Sequence, residues 1–352
     1  MARMNSIVAV GAVTVGINLA ASRAELHALG LTPGSDLLLS VARMEELRRA
    51  LENNRGSLPN PRSGGSVGNT ADLLGRAGVS CGFMGMGGDD AFGRFFVANC
   101  EKASVDFLLA LEAGAVTGYD FYLHDEAGVR TILLTHGANA LLSPARIDLT
   151  AIQNAELLLL DGGVLAFGPD AEAALAQCIL AAEQAKVPFV LTLASTGIVA
   201  GYRVFFDTFA PKAQLVAGNL EQTAVLLNLP PEAALDEVRG ELAKSGLNAV
   251  VTLDADGAFA RLGGEEALVP TRKIEPVDST GAGDAFLGAF LVARRRGLSV
   301  RQALAVGNVV SGEVIQHVSA RLPLSVDVPK LVREAVRSSE TAVSWQTWVG
   351  SS

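Results

Sequence analysis

The 352-residue chain has little positive charge, few cysteines and few aromatic side chains. Its 28 Lys and Arg are outnumbered by 37 Asp and Glu, for a formal net charge of −9. That balance excludes a nonspecific binder of nucleic acid or anionic membrane, which needs a basic face, but it leaves room for a local basic pocket. Cys81, Cys100 and Cys178 are far apart and form no CxxC or Cys/His cluster. They read as buried free thiols in a reducing compartment, with no disulfide framework. His27, His124, His136 and His317 show no metal spacing and read as surface or packing residues. No apolar run approaches the ~18 residues of a membrane span. No GxxxxGK[ST] occurs, so an ordinary P-loop is excluded. The first strand leads into "GAVTVG" instead of GxGxxG, which gives a dinucleotide oxidoreductase little support.

Apolar content is high at 49%, supplied mostly by Ala, Leu and Val, and with the many glycines it implies a substantial core of helices packed closely on a buried sheet. The opening "MARMNSIVAVGAVTVGINLAAS" superficially resembles a secretory leader. Ile7–Val10 ending at Gly11 reads instead as a buried strand, and the next apolar segment is broken by Gly16 and Asn18, so a cytoplasmic protein is expected. Further buried strands are expected at Leu157–Leu160, Phe189–Leu193, Leu215–Ala217 and Ala249–Leu253. Helical patterns at Asn69–Ala77, Ala171–Gln184, Leu220–Leu227 and Leu235–Ser245 alternate with them. This alternation predicts βαβ units and a mostly parallel, doubly wound sheet. Tyr119–Leu123 and Arg130–Thr135 alternate polar with apolar around the turn "HDEAG", which predicts an antiparallel pair in a lid or flanking sheet. "NNRGSLPNPRSGG" at 53–65 reads as a loop. The last residues carry both tryptophans and read as a tail.

Three glycine-rich stretches could carry chemistry. "DSTGAGDAF", 278–286, leads into an apolar helical pattern that begins near Ala282 and ends in three arginines and Gly297. Gly281, Ala282 and Gly283 would form the turn at a helix N-terminus, where backbone N–H groups and the helix dipole favour an anion. Asp284 then has two readings, a carboxylate that stabilises the first turn, or a general base beside an anion hole. In "SGGSVGNTADLLGRAG", 63–78, Gly64 and Gly65 permit close backbone approach, and Asn69 either caps a helix or binds a polyhydroxyl ligand. "GMGGDDAFG", 85–93, is a solvated turn or a ligand loop.

Together, and in this order, these segments resemble the ribokinase-like (PfkB) family of sugar and nucleoside kinases over roughly 5–325. "SGGSVGNTA" is similar to the family's N-terminal signature, "DSTGAGDAFLGAF" to its C-terminal one, and "HGANALLSP" and "VVTLDADGAF" to stretches between them. "GNVVSGEVIQHVSAR" at 307–321 is most similar to the adenosine-kinase-like branch. The resemblance implies a Rossmann-like α/β fold with a small β lid, as one domain over 1–335 with lid strands from about 12–45 and 116–136 and a tail at 336–352. It implies Mg·ATP as co-substrate, Asp284 as the base that activates the acceptor hydroxyl, and Gly281–Gly283 as the anion hole. Gly64, Gly65 and Asn69 would contact the acceptor, and Arg130 would clamp phosphate from the lid. Asn219, Thr252, Asp254, Gly257 and Asn308 would lie on the nucleotide side. Asp278 and Thr280 fall where some members hold a monovalent cation such as K+.

Three positions depart from the family pattern. Gly16 stands where an aspartate usually binds acceptor hydroxyls, so Asn18 or Asp161 would substitute, or the substrate differs. Gln222 replaces the glutamate of the NxxE element that helps organise Mg2+, with Asn219 at its start and Glu221 adjacent. Asp254 replaces a common glycine. The expected activity is phosphoryl transfer to a nucleoside (adenosine-like) or sugar by a monomer or homodimer. The alternatives are a sugar kinase of the ribokinase, fructokinase or 2-keto-3-deoxygluconate type, and a weakly active ligand-binding protein that keeps the fold.

Overall fold

A strand that is apolar at every position can be buried on both faces, and this chain uses its short apolar runs in that way. The computed structural model describes residues 5–341. Its strands are β1 (Ile7–Val10), β2 (Thr14–Ala20), β3 (Asp36–Leu38), β4 (Arg62–Ser63), β5 (Cys81–Met84), β6 (Val105–Phe107) and β7 (Gly118–His124). They continue as β8 (Arg130–Thr135), β9 (Leu157–Asp161), β10 (Phe189–Thr192), β11 (Leu215–Asn219), β12 (Ala249–Thr252), β13 (Ala258–Leu262) and β14 (Glu265–Val269). Nine of them form the central sheet in the order β14-β13-β12-β11-β10-β9-β1-β5-β6. Pairing is parallel from β6 to β12, with β13 and β14 antiparallel at one edge. Side-chain alternation divides each strand between two layers. Ala9, Leu159 and Val250 pack into the core on one face, and Val8, Leu158 and Val216 into the core on the other. Helices on both faces complete the doubly wound α/β fold expected from the sequence.

The topology also places a crevice. From β1 the chain moves outward through β5 and β6, then returns to the opposite side of β1 as β9. The order therefore reverses between β1 and β9, and the carboxyl ends of these two strands open a crevice of the kind that binds ligands in such sheets.

The second sheet has five strands, in the order β3-β8-β7-β2-β4. It is a mixed sheet, since β2 runs parallel to β7 and antiparallel to β4. One face packs Val15, Ile17, Tyr119, Phe121 and Leu133 against Met44, Leu47 and Leu51 of the helix Val41–Arg55. The other face carries Thr14, Gly16, Asn18, Asp120 and Tyr122, and alternation turns it away from that core.

Local composition misled at a few boundaries. The loop expected over 53–65 is partly structured, because Asn53–Arg55 close the helix Val41–Arg55 and Arg62–Ser63 pair with the edge of β2. A strand formed by pairing to a distant edge leaves no mark in its own residues. The helix expected from Asn69 starts at Ser66, with Gly65 at φ 80° as its N-cap. The tail expected over 336–352 begins inside the helix Val328–Thr341, and 342–352, with both tryptophans, lie outside the described residues. All three cysteines are buried and free, and burial pushes their thiols up to about 12. No described helix is long and apolar enough to cross a membrane.

One side chain ties the lid to the main sheet. Asn139, 2% exposed, accepts from Val13 N at 2.9 Å and donates to Val13 O at 2.8 Å, at the crossing from β1 to β2. Asn139→Ala leaves both backbone groups buried and unpaired. Its urea midpoint should fall by the equivalent of about 2–4 kcal/mol with an unchanged slope.

Candidate active site

The helices Ser66–Arg76 and Ala282–Arg295 meet through small residues. A Cβ at Gly288 would lie 2.8 Å from Leu73 Cδ2, so glycine is what lets the axes approach. This approach brings the two N-terminal turns together. Ser66 Oγ donates to Asp284 Oδ1 at 2.6 Å, and Asn69 Nδ2 donates to Oδ2 at 2.8 Å. Thr70 Oγ1 donates to the Asp284 carbonyl at 3.1 Å. Both carboxylate oxygens are thus oriented, while the residue keeps partial exposure. Burial pushes its carboxyl up to about 6, against the pull of Ser66 and Asn69; the nearby Asp161 adds to the rise and Arg321 opposes it. A carboxyl at that value can take a proton near neutral pH.

Beside this carboxylate the helix N-terminus is open. Gly281 is its N-cap, at φ 79°, and no side chain caps the turn, so the leading N–H groups are left for an anion. A Cβ on Gly281 would meet Ala320 O at 2.2 Å, whereas one at Gly283 would meet nothing within 4 Å. Ala282 starts the helix between them. Just upstream, the Thr280 N–H donates to Asp278 Oδ1 at 2.9 Å, and both residues line the cleft beneath the lid.

That cleft gathers Gly16, Asn18, Gly64 and Arg130. The Arg130 guanidinium lies 5.9 Å from the centre of the Tyr122 ring. His124 also lines the cleft, with Nε2 3.3 Å from Asn18 Oδ1, so it is not the plain surface or packing residue expected. Gly65 stands at the cleft's edge, where a Cβ would meet Ala12 O at 2.5 Å. Asp161 is held mainly by backbone amides. It is 3% exposed at the carboxyl end of β9, where Oδ1 accepts from Gly163 N at 2.8 Å and the N–H groups of Val67 and Ala12 also point at it. Burial raises its pKa even so. Asp161 therefore braces the crevice.

The nucleotide-side candidates line the carboxyl edge further along. Asn219 and Thr252 are register partners at the ends of β11 and β12. Asp254 sits at φ 49°, which accounts for glycine being common there, and aspartate is one of the few other residues that tolerate the left-handed region. Gly257, at φ 101°, has Val269 O 2.1 Å from where a Cβ would be. Asn308 donates to Val269 O at 3.0 Å and so holds the same turn. Asn219 and Gln222 are engaged with each other in a capping box, and Gln222 Nε2 also donates to Ala194 O at 2.8 Å. Glu221 alone is exposed there, and no cluster of three metal-ligating side chains occurs among the described residues. This donor set fits a hydrated Mg2+ carried by phosphates better than one caged by protein.

Three residues escaped the sequence reading. Arg321 Nε donates to Asn69 Oδ1 at 2.8 Å and its Nη2 to Gly64 O at 3.2 Å, so it fixes the amide that in turn holds Asp284. Arg62 and Asp120 line the cleft on either side of Gly16. The alternation of Tyr119–Leu123 put Asp120 and Tyr122 on one polar face, but only the fold shows what that face looks onto.

A model described as pfkB family carbohydrate kinase matches residues 37–327. The chain belongs to that family. It is 30% identical to a 5-dehydro-2-deoxygluconokinase of Shouchella clausii over 77% of this chain and 86% of the relative. Among solved structures it is similar to adenosine kinase from Sinorhizobium meliloti, with TM-score 0.81 and 25% identity over 95% of this chain and all of that one (100%). It shares its fold with a putative ribokinase II from E. coli solved with ATP and Mg2+, with TM-score 0.73 and 17% identity over 94% and 99% of the two chains. The reaction class follows from family membership: a phosphotransferase with an alcohol group as acceptor. Sugar kinases thus appear among the relatives by sequence, and an adenosine kinase among the similar structures.

Gly281→Ala forces a side chain into Ala320 O and into positive φ. Turnover in a coupled ADP-release assay should fall at least ~10²-fold as the turn is displaced, about the effect of losing one anion-hole donor.

Proposed function

We propose that this pfkB-family enzyme transfers the γ-phosphoryl group of ATP to a hydroxyl of a sugar acid bound under the lid. The observation that carries the choice of acceptor is a pair of exposed cleft arginines, of which Arg130 rests over the Tyr122 ring. Arg62 and Arg130 both line the cleft, and neither has a carboxylate partner among the described residues, although acids outnumber bases in the chain. Guanidinium groups left free in a ligand cleft suit a carboxylate on the ligand. A 5-dehydro-2-deoxygluconate-like acceptor has one, whereas adenosine has none. The similarity to 5-dehydro-2-deoxygluconokinases supports the same acceptor class.

In this reading Asp284 takes the proton of the attacking hydroxyl, held in place by Ser66 and Asn69. The N–H groups at Gly281–Gly283 receive the charge on the transferred group. Gly64 and Gly65 let the acceptor approach the backbone at the cleft floor. Thr252, Asp254, Gly257, Asn219 and Asn308 form the nucleotide side. Bound with the nucleotide, Mg2+ would neutralise phosphate charge, and Glu221 would be the carboxylate to meet its water shell. Asp278 and Thr280 are the candidates for a monovalent cation, their turn already ordered by the hydrogen bond between them.

A coupled ADP-release assay over 5-dehydro-2-deoxygluconate, 2-keto-3-deoxygluconate, fructose, ribose and adenosine tests the reading. The acids should give kcat/KM at least ~10-fold above the neutral acceptors, and a preference for adenosine would overturn the assignment. Arg62→Met should erase most of that preference by raising KM for the acid alone. Asp284→Asn should cut kcat at least ~10²-fold with little change in folding. Because the carboxylate is the active form and its pKa is raised to about 6, wild-type kcat/KM should fall as pH drops through about 6. A limb near 4 would place the titration on another group.

A further inference from the structure

The reaction class does not account for one row of residues on the cleft face of the lid. Across β4, β2 and β7, Arg62, Gly16 and Asp120 stand in register, so the middle of three neighbouring positions has no side chain. Strand spacing puts the two flanking positions roughly 9–10 Å apart. That is too far for an ion pair without both chains reaching across, and none forms: no cation pairs with Asp120 and no carboxylate with Arg62 among the described residues. Among the described residues Asp120 is met only by hydroxyls, Thr14 Oγ1 at 3.2 Å and Tyr122 OH at 3.5 Å. A half-buried carboxylate without a cation lowers stability, and such a group persists where a ligand completes it.

The empty position is enforced. A Cβ on Gly16 would lie 2.9 Å from Tyr122 Cε2, so any side chain there must displace the ring that helps hold Asp120. Burial supports the picture by pushing the Asp120 carboxyl up to about 7, which two hydroxyl donors only partly offset.

We infer that Asp120 is the residue that accepts the acceptor's hydroxyls, in the gap left by Gly16. The missing carboxylate at position 16 has in effect moved one strand across the lid. The gap then suits a ligand with hydroxyls at one end, toward Asp120, and a carboxylate at the other, toward Arg62. This deepens the sugar-acid reading and rests on it.

Steady-state kinetics with 5-dehydro-2-deoxygluconate, or the best acid from the acceptor panel, test the assignment. Asp120→Asn should raise the acceptor KM at least ~10-fold, with kcat within about threefold and the KM for ATP unchanged. Its Tm should be equal to or above the wild type's, since the substitution removes an enclosed charge without a cation. Gly16→Ala, which fills the gap but keeps Asp120, should also raise acceptor KM. An acceptor KM within twofold of wild type for Asp120→Asn would overturn the inference and leave the sugar-acid reading intact. A lowered Tm with parallel loss of ATP affinity would also overturn it, by showing a structural carboxylate. If the wild type turns over no acid at all, the sugar-acid reading fails first, and this inference with it.

Discussion

Much of the site depends on one contact, the close packing of the helices Ser66–Arg76 and Ala282–Arg295. Gly288 lets the axes approach, and the approach brings Ser66 and Asn69 within hydrogen-bond distance of Asp284. Without it, Asp284 would be an ordinary first-turn carboxylate that stabilises its own helix. With it, the carboxylate is oriented by two donors and desolvated enough to sit near 6. Arg321 extends the arrangement by fixing Asn69 from the other side. The open helix N-terminus at Gly281 lies beside it, and in the proposed reading the two act as proton acceptor and anion site, the combination phosphoryl transfer needs.

The lid obeys a different constraint. A sheet with one face on a hydrophobic layer and one on a polar cleft must alternate strictly, and β2 and β7 do. Val15 and Ile17, with Tyr119 and Phe121, take the buried face, which leaves Gly16, Asn18, Asp120 and Tyr122 to the cleft. A slip of one residue in either strand would exchange the two sets. The register of this small sheet therefore controls which chemical groups an acceptor meets.

The carboxyl edge of the central sheet shows how differently similar residue types are used. Asp161 lies at the switch point and would be a natural ligand residue by position, yet backbone amides occupy it and it braces the crevice. Asn219 and Gln222 are likewise engaged in capping their own helix. Asp120, an unremarked residue of an amphipathic strand, is the carboxylate left open to the cleft. Partnering, more than residue type, separates these cases.

The chain's local patterns determine a good deal. Apolar runs such as Ile7–Val10 and Ala249–Thr252 imply a buried parallel sheet, because only strands covered on both faces can be apolar throughout. The pattern of "DSTGAGDAF" marks an uncapped helix start with an acid in its first turn, since glycines and a following apolar face leave few other conformations. The tertiary structure decided what each of these groups faces. The pairing of Arg62–Ser63 with β2, the meeting of Asp284 with Asn69, and the alignment of Arg62, Gly16 and Asp120 all join residues far apart in the chain. Periodicity reports which face of an element a side chain occupies; register and helix packing choose its neighbours, and they depend on contacts that no local pattern encodes.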